Sequence, residues 1–121
     1  LFPTGYQHFS PAEVVKWKLK PELWKMLDEA RKIANTPFII TSGLRSKAEN
    51  DAVGGKPSSS HLTGLGVDIF CNDNFKRTKI LRGILNCGTE VFIEQAKSHI
   101  HIDISLLTHQ LGQTIVDPAD D

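Results

Sequence analysis

The sequence predicts an α+β fold, in which helices pack on one side of a small, mainly antiparallel sheet. Three observations predict it: segments with helix-start signals and helical apolar spacing, short runs of β-branched residues, and two alternating runs close together near the end. With 121 residues, 40% of them hydrophobic and 23% charged, the chain fits one compact domain. We expect a single domain over residues 1–121, with a core at roughly 20–107 and a fraying tail at 108–121.

Two helices are predicted in the first third of the chain. Ser10–Glu13 combines a capping residue, a proline at the first helical position and a glutamate three residues after the cap, which predicts a short helix ending near Lys18. A longer helix should begin at Pro21 and end at Asn35, before Pro37. Its apolar stripe, which we assign to the core, consists of Leu23, Leu27, Ala30 and Ile33.

Strands and helices should alternate in the middle of the chain. Phe38–Thr41 and Gly66–Phe70 are rich in β-branched and aromatic residues, which predicts two strands. Between them we expect a charged helix at Lys47–Val53 and then a polar loop over residues 54–60. Another helix is predicted at Phe75–Leu85.

Two alternating runs, Val91–Glu94 and His99–Ile104, are joined by a few polar residues and predict an antiparallel hairpin. Because side chains alternate across a strand, the polar and apolar members of the second run should occupy opposite faces. The polar face would carry His99, His101 and Asp103, and the apolar face Ile100, Ile102 and Ile104.

The charge balance excludes some classes of partner. Fourteen basic residues balance fourteen acidic ones, so we expect no binding to nucleic acid or to an anionic membrane surface. No apolar run approaches the roughly 20 residues of a membrane span. Cys71 and Cys87 could pair, but we favour two buried thiols. We expect a monomer.

Three of the five histidines and several acidic residues lie in two short windows, Ser58–Asp68 and Glu94–Asp103. Imidazole nitrogens and carboxylate oxygens suit zinc, and catalytic zinc sites usually have three protein ligands and one open position. His61 and Asp68 could converge across a glycine-rich turn, with the hairpin supplying a third ligand. The alternatives are a hydrogen-bonded surface histidine at position 61 and a structural salt bridge at Asp68.

The glycines admit two interpretations. Gly54-Gly55 and Gly64-x-Gly66 match neither of the spacings that cradle phosphates. Turns and close backbone approach explain them better.

Several short motifs follow one another in order along the chain: Ser42-Gly43-Leu44-Arg45-Ser46, Asn50, Gly54-Gly55, Ser59-Ser60-His61-Leu62-Thr63-Gly64, Val67-Asp68-Ile69 and His101-Ile102-Asp103. Together they resemble the M15 peptidases, the zinc D-alanyl-D-alanine carboxypeptidase group, over roughly residues 20–105. The resemblance implies a hedgehog/DD-peptidase-like fold and a Zn²⁺ cofactor. It is closest to small phage and bacterial proteins, endolysins among them, that cut peptidoglycan stem peptides at the cell wall.

The resemblance also implies roles for individual side chains. His99 would stabilise negative charge on the metal-bound water or the reacting carbonyl oxygen. Arg45 would bind the carbonyl or carboxylate of the substrate, to which its planar fork of donors is suited, and Ser59 would also contact the substrate. Without the resemblance, an arginine after a strand is more often a surface cation. The implied zinc ligands are His61, Asp68 and His101.

The general base is where the sequence departs from the family. Many carboxypeptidases of the group place an acid three residues before the last histidine ligand, and that position is Ser98 here. Glu94 lies seven residues before His101, and a tight turn would bring it opposite that histidine. The hedgehog signalling domain resembles this stretch, with a glutamate followed by a His-x-His pair at a spacing one residue shorter. We predict Glu94 as the base, with Asp103 as its rival.

Asp103 could instead orient a ligand imidazole, and Glu94 could be an ordinary exposed strand residue. The predicted function is a zinc metallopeptidase that cleaves D-amino-acid-containing peptidoglycan peptides, as a D,D-carboxypeptidase or an endopeptidase. The alternative is a non-catalytic zinc module that uses the same pocket to recognise a peptide or protein.

Overall fold

The computed structural model describes residues 5–105 and confirms the α+β class. Four antiparallel strands form one sheet in the order β1-β2-β4-β3. The predicted tail at 108–121 and the end of the predicted core lie outside the described residues. In chain order the elements are α1 (Pro11–Trp17), α2 (Pro21–Ala34), β1 (Ile40–Ser42), α3 (Lys47–Ala52), a 3-10 turn (Ser60–Leu62), β2 (Gly66–Phe70), α4 (Asn74–Leu85), β3 (Phe92–Gln95) and β4 (His99–Asp103).

The helices begin where their capping signals predict. At the start of α1, the Ser10 hydroxyl accepts from the Glu13 N–H and the Glu13 carboxylate accepts from the Ser10 N–H, so both ends of the capping box form. Helix α2 ends at Asn35, whose left-handed backbone (φ 52°) stops the helix. Ile33 is only half-buried, contrary to the predicted stripe, whereas Trp24 and two further α2 residues, Met26 and Ala34, belong to the core.

The first strand begins two residues later than predicted. Phe38 belongs to the core cluster, but the paired ladder starts at Ile40, which lies opposite Ile69. The next pair is Ser42 with Asp68, which leaves Thr41 as an extra residue in a bulge. The bulge keeps Ile40 on the core face and brings Ser42 to the opposite face of the sheet.

The two faces of the sheet have different chemistry. On one face, four fully buried side chains share a single core with α2 and α4; they are Val67, Ile69, Ile100 and Ile102. The hairpin confirms the predicted antiparallel pairing, with β3 one residue later than expected. The opposite face carries a row of polar residues across all four strands, formed by Ser42, Asp68, His101 and Glu94.

The described part of the chain contains no helix long and apolar enough to cross a membrane. Cys71 is buried and Cys87 half-buried, and both are free thiols.

Helices α2 and α4 cross at Gly83. A Cβ atom there would overlap the Ala30 carbonyl oxygen and would lie 2.8 Å from the Ala34 Cβ. The absence of a side chain at this position therefore sets how closely the two helices approach.

We expect Gly83→Ala to lower the free energy of unfolding by about 1–3 kcal/mol, because the overlap outweighs the roughly 1 kcal/mol that alanine gains in a helix. Urea unfolding of the metal-free protein measures the change. Arg82→Ala, at the neighbouring exposed position of α4, is the control and should stay within about 0.5 kcal/mol of the wild type. A Gly83→Ala protein as stable as the control would show that the helices can move apart freely.

Candidate metal centre

Strand pairing brings the polar row together. Asp68 lies opposite His101, and His101 lies opposite Glu94. Residues directly opposite each other on antiparallel strands have side chains on the same face, with Cβ atoms about 4.5–5.5 Å apart. The two central strands thus supply one imidazole, His101 of β4, and one carboxylate, Asp68 of β2, as candidate ligands.

His61 reaches the same place from outside the sheet. It lies in the 3-10 turn Ser60–Leu62. The Ser59 hydroxyl caps the start of this turn by accepting from the His61 N–H at 3.2 Å. The His61 carbonyl accepts from the Arg45 N–H at 2.9 Å. Hydrogen bonds on both sides therefore fix the turn, and the His61 side chain is fully buried.

One oxygen of Asp68 is the meeting point of both imidazoles. Asp68 Oδ1 lies 3.2 Å from His61 Nε2 and 2.8 Å from His101 Nδ1. One ligand atom from each of the three residues lies within 4.8 Å of the other two, and all three residues are buried. The structure thus brings together the three residues that the sequence predicted as ligands.

The outer nitrogens of both histidines face hydrogen-bond acceptors. His61 Nδ1 lies 2.8 Å from the Gly43 carbonyl oxygen, and His101 Nε2 lies 3.3 Å from Asp103 Oδ2. A carbonyl or carboxylate oxygen only accepts, and the inner nitrogens also face such an oxygen, Asp68 Oδ1. Each ring therefore has acceptors at both nitrogens, whereas a neutral imidazole carries only one hydrogen.

When the outer nitrogens donate, the lone pairs of the two inner nitrogens face the Asp68 carboxylate in a buried place, where a cation relieves the repulsion. A proton or a metal ion meets this demand. Three nitrogen and oxygen donors, with outer partners that fix the imidazole orientation, fit a catalytic zinc ion.

The pKa of the Asp68 carboxyl reflects the same arrangement. Burial raises it, but the hydrogen bonds and positive charge of His101 and His61 outweigh burial, so the pKa lies below its ordinary value.

Arg45 lies at the edge of this cluster. Its NH2 group is 3.7 Å from Asp68 Oδ2, the second oxygen of the carboxylate whose Oδ1 contacts both histidines. Its Nε donates to the Ser42 hydroxyl and its NH1 to the Asn50 amide oxygen. The guanidinium is thus beside the proposed ligands rather than free on the surface, with a side chain only 10% exposed.

The two candidates for the base occupy different places. Glu94 is buried and directly opposite His101, on the face that carries the cluster. Asp103 contacts the outer nitrogen of His101 and also accepts from the Ser105 N–H. Asp103 therefore contacts the side of the His101 ring that is opposite the Asp68 contact. Ser98 lies in the exposed hairpin turn, with its carbonyl bound to the Cys71 N–H.

His99 shares the face of His101 and lies opposite Phe70, one row away from the cluster. The hydroxyl oxygen of Ser59 accepts from the His61 N–H, so only the hydroxyl hydrogen and the remaining lone pair are available for a contact with substrate.

Sequence reasoning missed two groups that contact the histidines. One is the Gly43 carbonyl, since a backbone group leaves no trace in the residue type. The other is the Ser60 hydroxyl, which lies 3.3 Å from His101 Nε2. Its signal is indirect: a Cβ atom at Gly66 would overlap Ser60 Oγ, so the glycine makes room for the hydroxyl.

A model of the family Peptidase M15 matches residues 5–103. The chain belongs to the M15 peptidase family. No curated protein and no solved structure matches it. The peptidases of the M15 family depend on zinc, and the cluster of this M15 member offers the donors that such an ion requires.

We expect this M15 protein to bind one zinc ion per chain. His61→Ala should weaken binding by more than about 100-fold. Asp103→Asn, which replaces the carboxylate at the outer nitrogen of His101 with a neutral amide, should weaken it by about 10–100-fold. Competition with a chromophoric chelator measures both affinities. The control is His8→Ala. The backbone N–H of His8 donates to Asp28 of α2, away from the cluster. Unchanged affinity in His61→Ala would exclude His61 as a ligand.

The lowered pKa of Asp68 predicts how acid affects the metal-free protein. A carboxyl with a depressed folded-state pKa contributes stability above its unfolded value of about 3.9, and the contribution is lost as the pH falls through the folded value. The difference in unfolding free energy between wild type and Asp68→Asn should therefore shrink from pH 5 towards about pH 2.5. Urea titrations in chelator at several pH values measure it.

Asp51→Asn, which removes an exposed carboxylate near the end of α3, is the matched change of charge. A difference between wild type and Asp68→Asn that stays constant with pH would contradict the assignment.

Proposed function

We propose that this M15 family member is a zinc-dependent peptidase that hydrolyses D-amino-acid-containing peptides of bacterial peptidoglycan, as a D,D-carboxypeptidase or an endopeptidase. The observation that carries the proposal is the row across the sheet. It places a buried carboxylate, Glu94, beside the cluster of His61, Asp68 and His101.

The cluster and Glu94 have complementary tasks. A zinc ion held by His61, Asp68 and His101 would polarise the scissile carbonyl and acidify a water molecule. The Glu94 carboxylate takes a proton from the attacking water and later delivers it to the leaving amine. Asp103 holds the outer nitrogen of His101, so it orients that ring and leaves the base position to Glu94.

Two cationic or polar donors complete the proposed site. Arg45 binds the carbonyl or carboxylate of the substrate through the donors that its contacts with Ser42, Asn50 and Asp68 leave available. His99, on the same face of β4 as His101, stabilises the developing oxyanion, an effect worth about 3 kcal/mol for a well-placed donor.

We expect Glu94→Gln to retain zinc and to lose about 10²–10⁴-fold in kcat on a peptidoglycan stem peptide, because the amide cannot accept the proton from water. Zinc content and the rate of product release are measured on the same preparation. Glu90→Gln, an exposed carboxylate just before β3, is the control and should cleave like the wild type.

The possible outcomes separate the two candidate functions. Normal cleavage by Glu94→Gln would exclude it as the base. A native protein that holds zinc and binds the stem peptide without cleaving it would favour the recognition module. Mass spectrometry of the products distinguishes the two proposed reactions, since a carboxypeptidase releases a single terminal D-amino acid and an endopeptidase separates two longer fragments.

A further inference from the structure

The guanidinium of Arg45 is held from three directions. Nε donates to Ser42 Oγ at 3.3 Å and NH1 donates to Asn50 Oδ1 at 3.2 Å, while NH2 lies 3.7 Å from Asp68 Oδ2. Ser42 and Asp68 belong to the sheet, and Asn50 belongs to α3. Since the guanidinium is planar and rigid, contacts on three of its nitrogens fix its plane. Asn50 supplies the only one of these three contacts that comes from outside the sheet.

Asn50 is unusual in its helix. It is 1% exposed and is the one buried residue of α3, a six-residue helix with an otherwise polar or exposed surface. An amide gains nothing from burial unless it is hydrogen-bonded. Its oxygen accepts from Arg45, and its nitrogen donates to the Lys56 carbonyl at 2.7 Å. Asn50 is therefore buried because its amide makes these two hydrogen bonds, and not because it packs in the apolar core.

The orientation of the Asn50 amide follows from its two partners. A guanidinium can only donate, so the amide oxygen faces Arg45, and a carbonyl can only accept, so the amide nitrogen faces Lys56. Asn50 thus joins the arginine to the loop at residues 54–58 through one rigid planar group.

Gly55 allows this amide to fit. Its N–H donates to the Asn50 carbonyl at 2.8 Å, and a Cβ atom on Gly55 would overlap Asn50 Oδ1, the atom that binds Arg45. A Cβ atom on the preceding Gly54 would meet nothing within 4 Å, although the left-handed backbone there (φ 73°) disfavours a side chain. Glycine is therefore favoured at position 54 by the backbone conformation and at position 55 by lack of space. Only Gly55 affects the amide that binds Arg45.

We propose that Asn50 is a positioning residue, which sets the orientation of the Arg45 guanidinium at the metal centre and couples it to the loop at residues 54–58. The proposal rests on the proposed function in one respect, the binding of substrate by Arg45. The fixed orientation itself does not depend on any activity.

The first test needs no substrate. In a nitrogen–proton correlation spectrum of the labelled, zinc-loaded protein, the Arg45 Nε–H should give a resolved signal, assigned by its loss in Arg45→Lys. Asn50→Ala should shift that signal or exchange it away, because the guanidinium loses one of its three fixed contacts. Asn86→Ala removes an amide that donates to the Arg82 carbonyl on the surface and should leave the signal in place. An unchanged signal in Asn50→Ala would overturn the proposal.

The second test measures binding of the stem peptide to Glu94→Gln protein, so that cleavage does not interfere. Adding Asn50→Ala should weaken binding about tenfold, as expected for the loss of a well-aimed charged hydrogen bond, and should have no further effect where Arg45 is already Ala. Asn50→Asp keeps the acceptor for Arg45 but places an oxygen against the Lys56 carbonyl, so it should restore only part of the affinity. Equal losses with and without Arg45 would reveal a merely structural role and overturn the proposal.

The third test avoids changing Asn50 at all. Gly55→Ala should reproduce both effects of Asn50→Ala, since the new Cβ displaces the amide oxygen. Gly54→Ala adds a Cβ that meets no neighbouring atom, although the left-handed backbone there is strained by it. It should therefore lower the stability of the loop without displacing the Asn50 amide, and the Arg45 signal and peptide binding should stay close to those of the wild type. A Gly55→Ala protein that behaves like Gly54→Ala would count against the proposal.

The outcomes separate this proposal from the proposed function. Loss of the Arg45 signal in Asn50→Ala, together with unchanged peptide binding, would uphold the positioning role and remove Arg45 from substrate recognition. Zinc binding and cleavage by the native protein test the proposed function independently of Asn50.

Discussion

His61 Nε2 and His101 Nδ1 both face Asp68 Oδ1, at 3.2 and 2.8 Å, in a part of the molecule from which water is nearly excluded. Each ring turns its other nitrogen to an acceptor, the Gly43 carbonyl or Asp103. The inner nitrogens and the carboxylate therefore need a shared cation. The surrounding structure holds these three groups close together despite their mutual repulsion.

Most of these groups are held in place by the sheet. Antiparallel pairing sets Asp68, His101 and Glu94 side by side, and the bulge in β1 adds Ser42 at the end of the row. The isoleucines of the opposite face lock the register, since a slip by one residue would expose them and bury the polar row in the core. The apolar packing and the metal centre thus depend on the same alignment.

Close contacts at glycines hold the remaining parts in place. Gly66 leaves space for the Ser60 hydroxyl beside His101, and Gly55 leaves space for the Asn50 amide beside Arg45. A methyl group in either place would displace a polar atom that orients a side chain of the site. The glycine-rich stretches, which match no phosphate-binding pattern, thus have a packing role at the centre itself.

Local patterns in the sequence determined the helices, the hairpin and the fold class, because capping boxes and alternating periodicity depend only on near neighbours. The histidines and acids in two windows, together with the family motif, also pointed to His61, Asp68 and His101. The tertiary structure alone decided the bulge at Thr41, the contacts of the Gly43 carbonyl and the Ser60 hydroxyl with the histidines, and the burial of Asn50. These features join segments distant in sequence, and their hydrogen bonds and packing form only when the whole sheet is assembled.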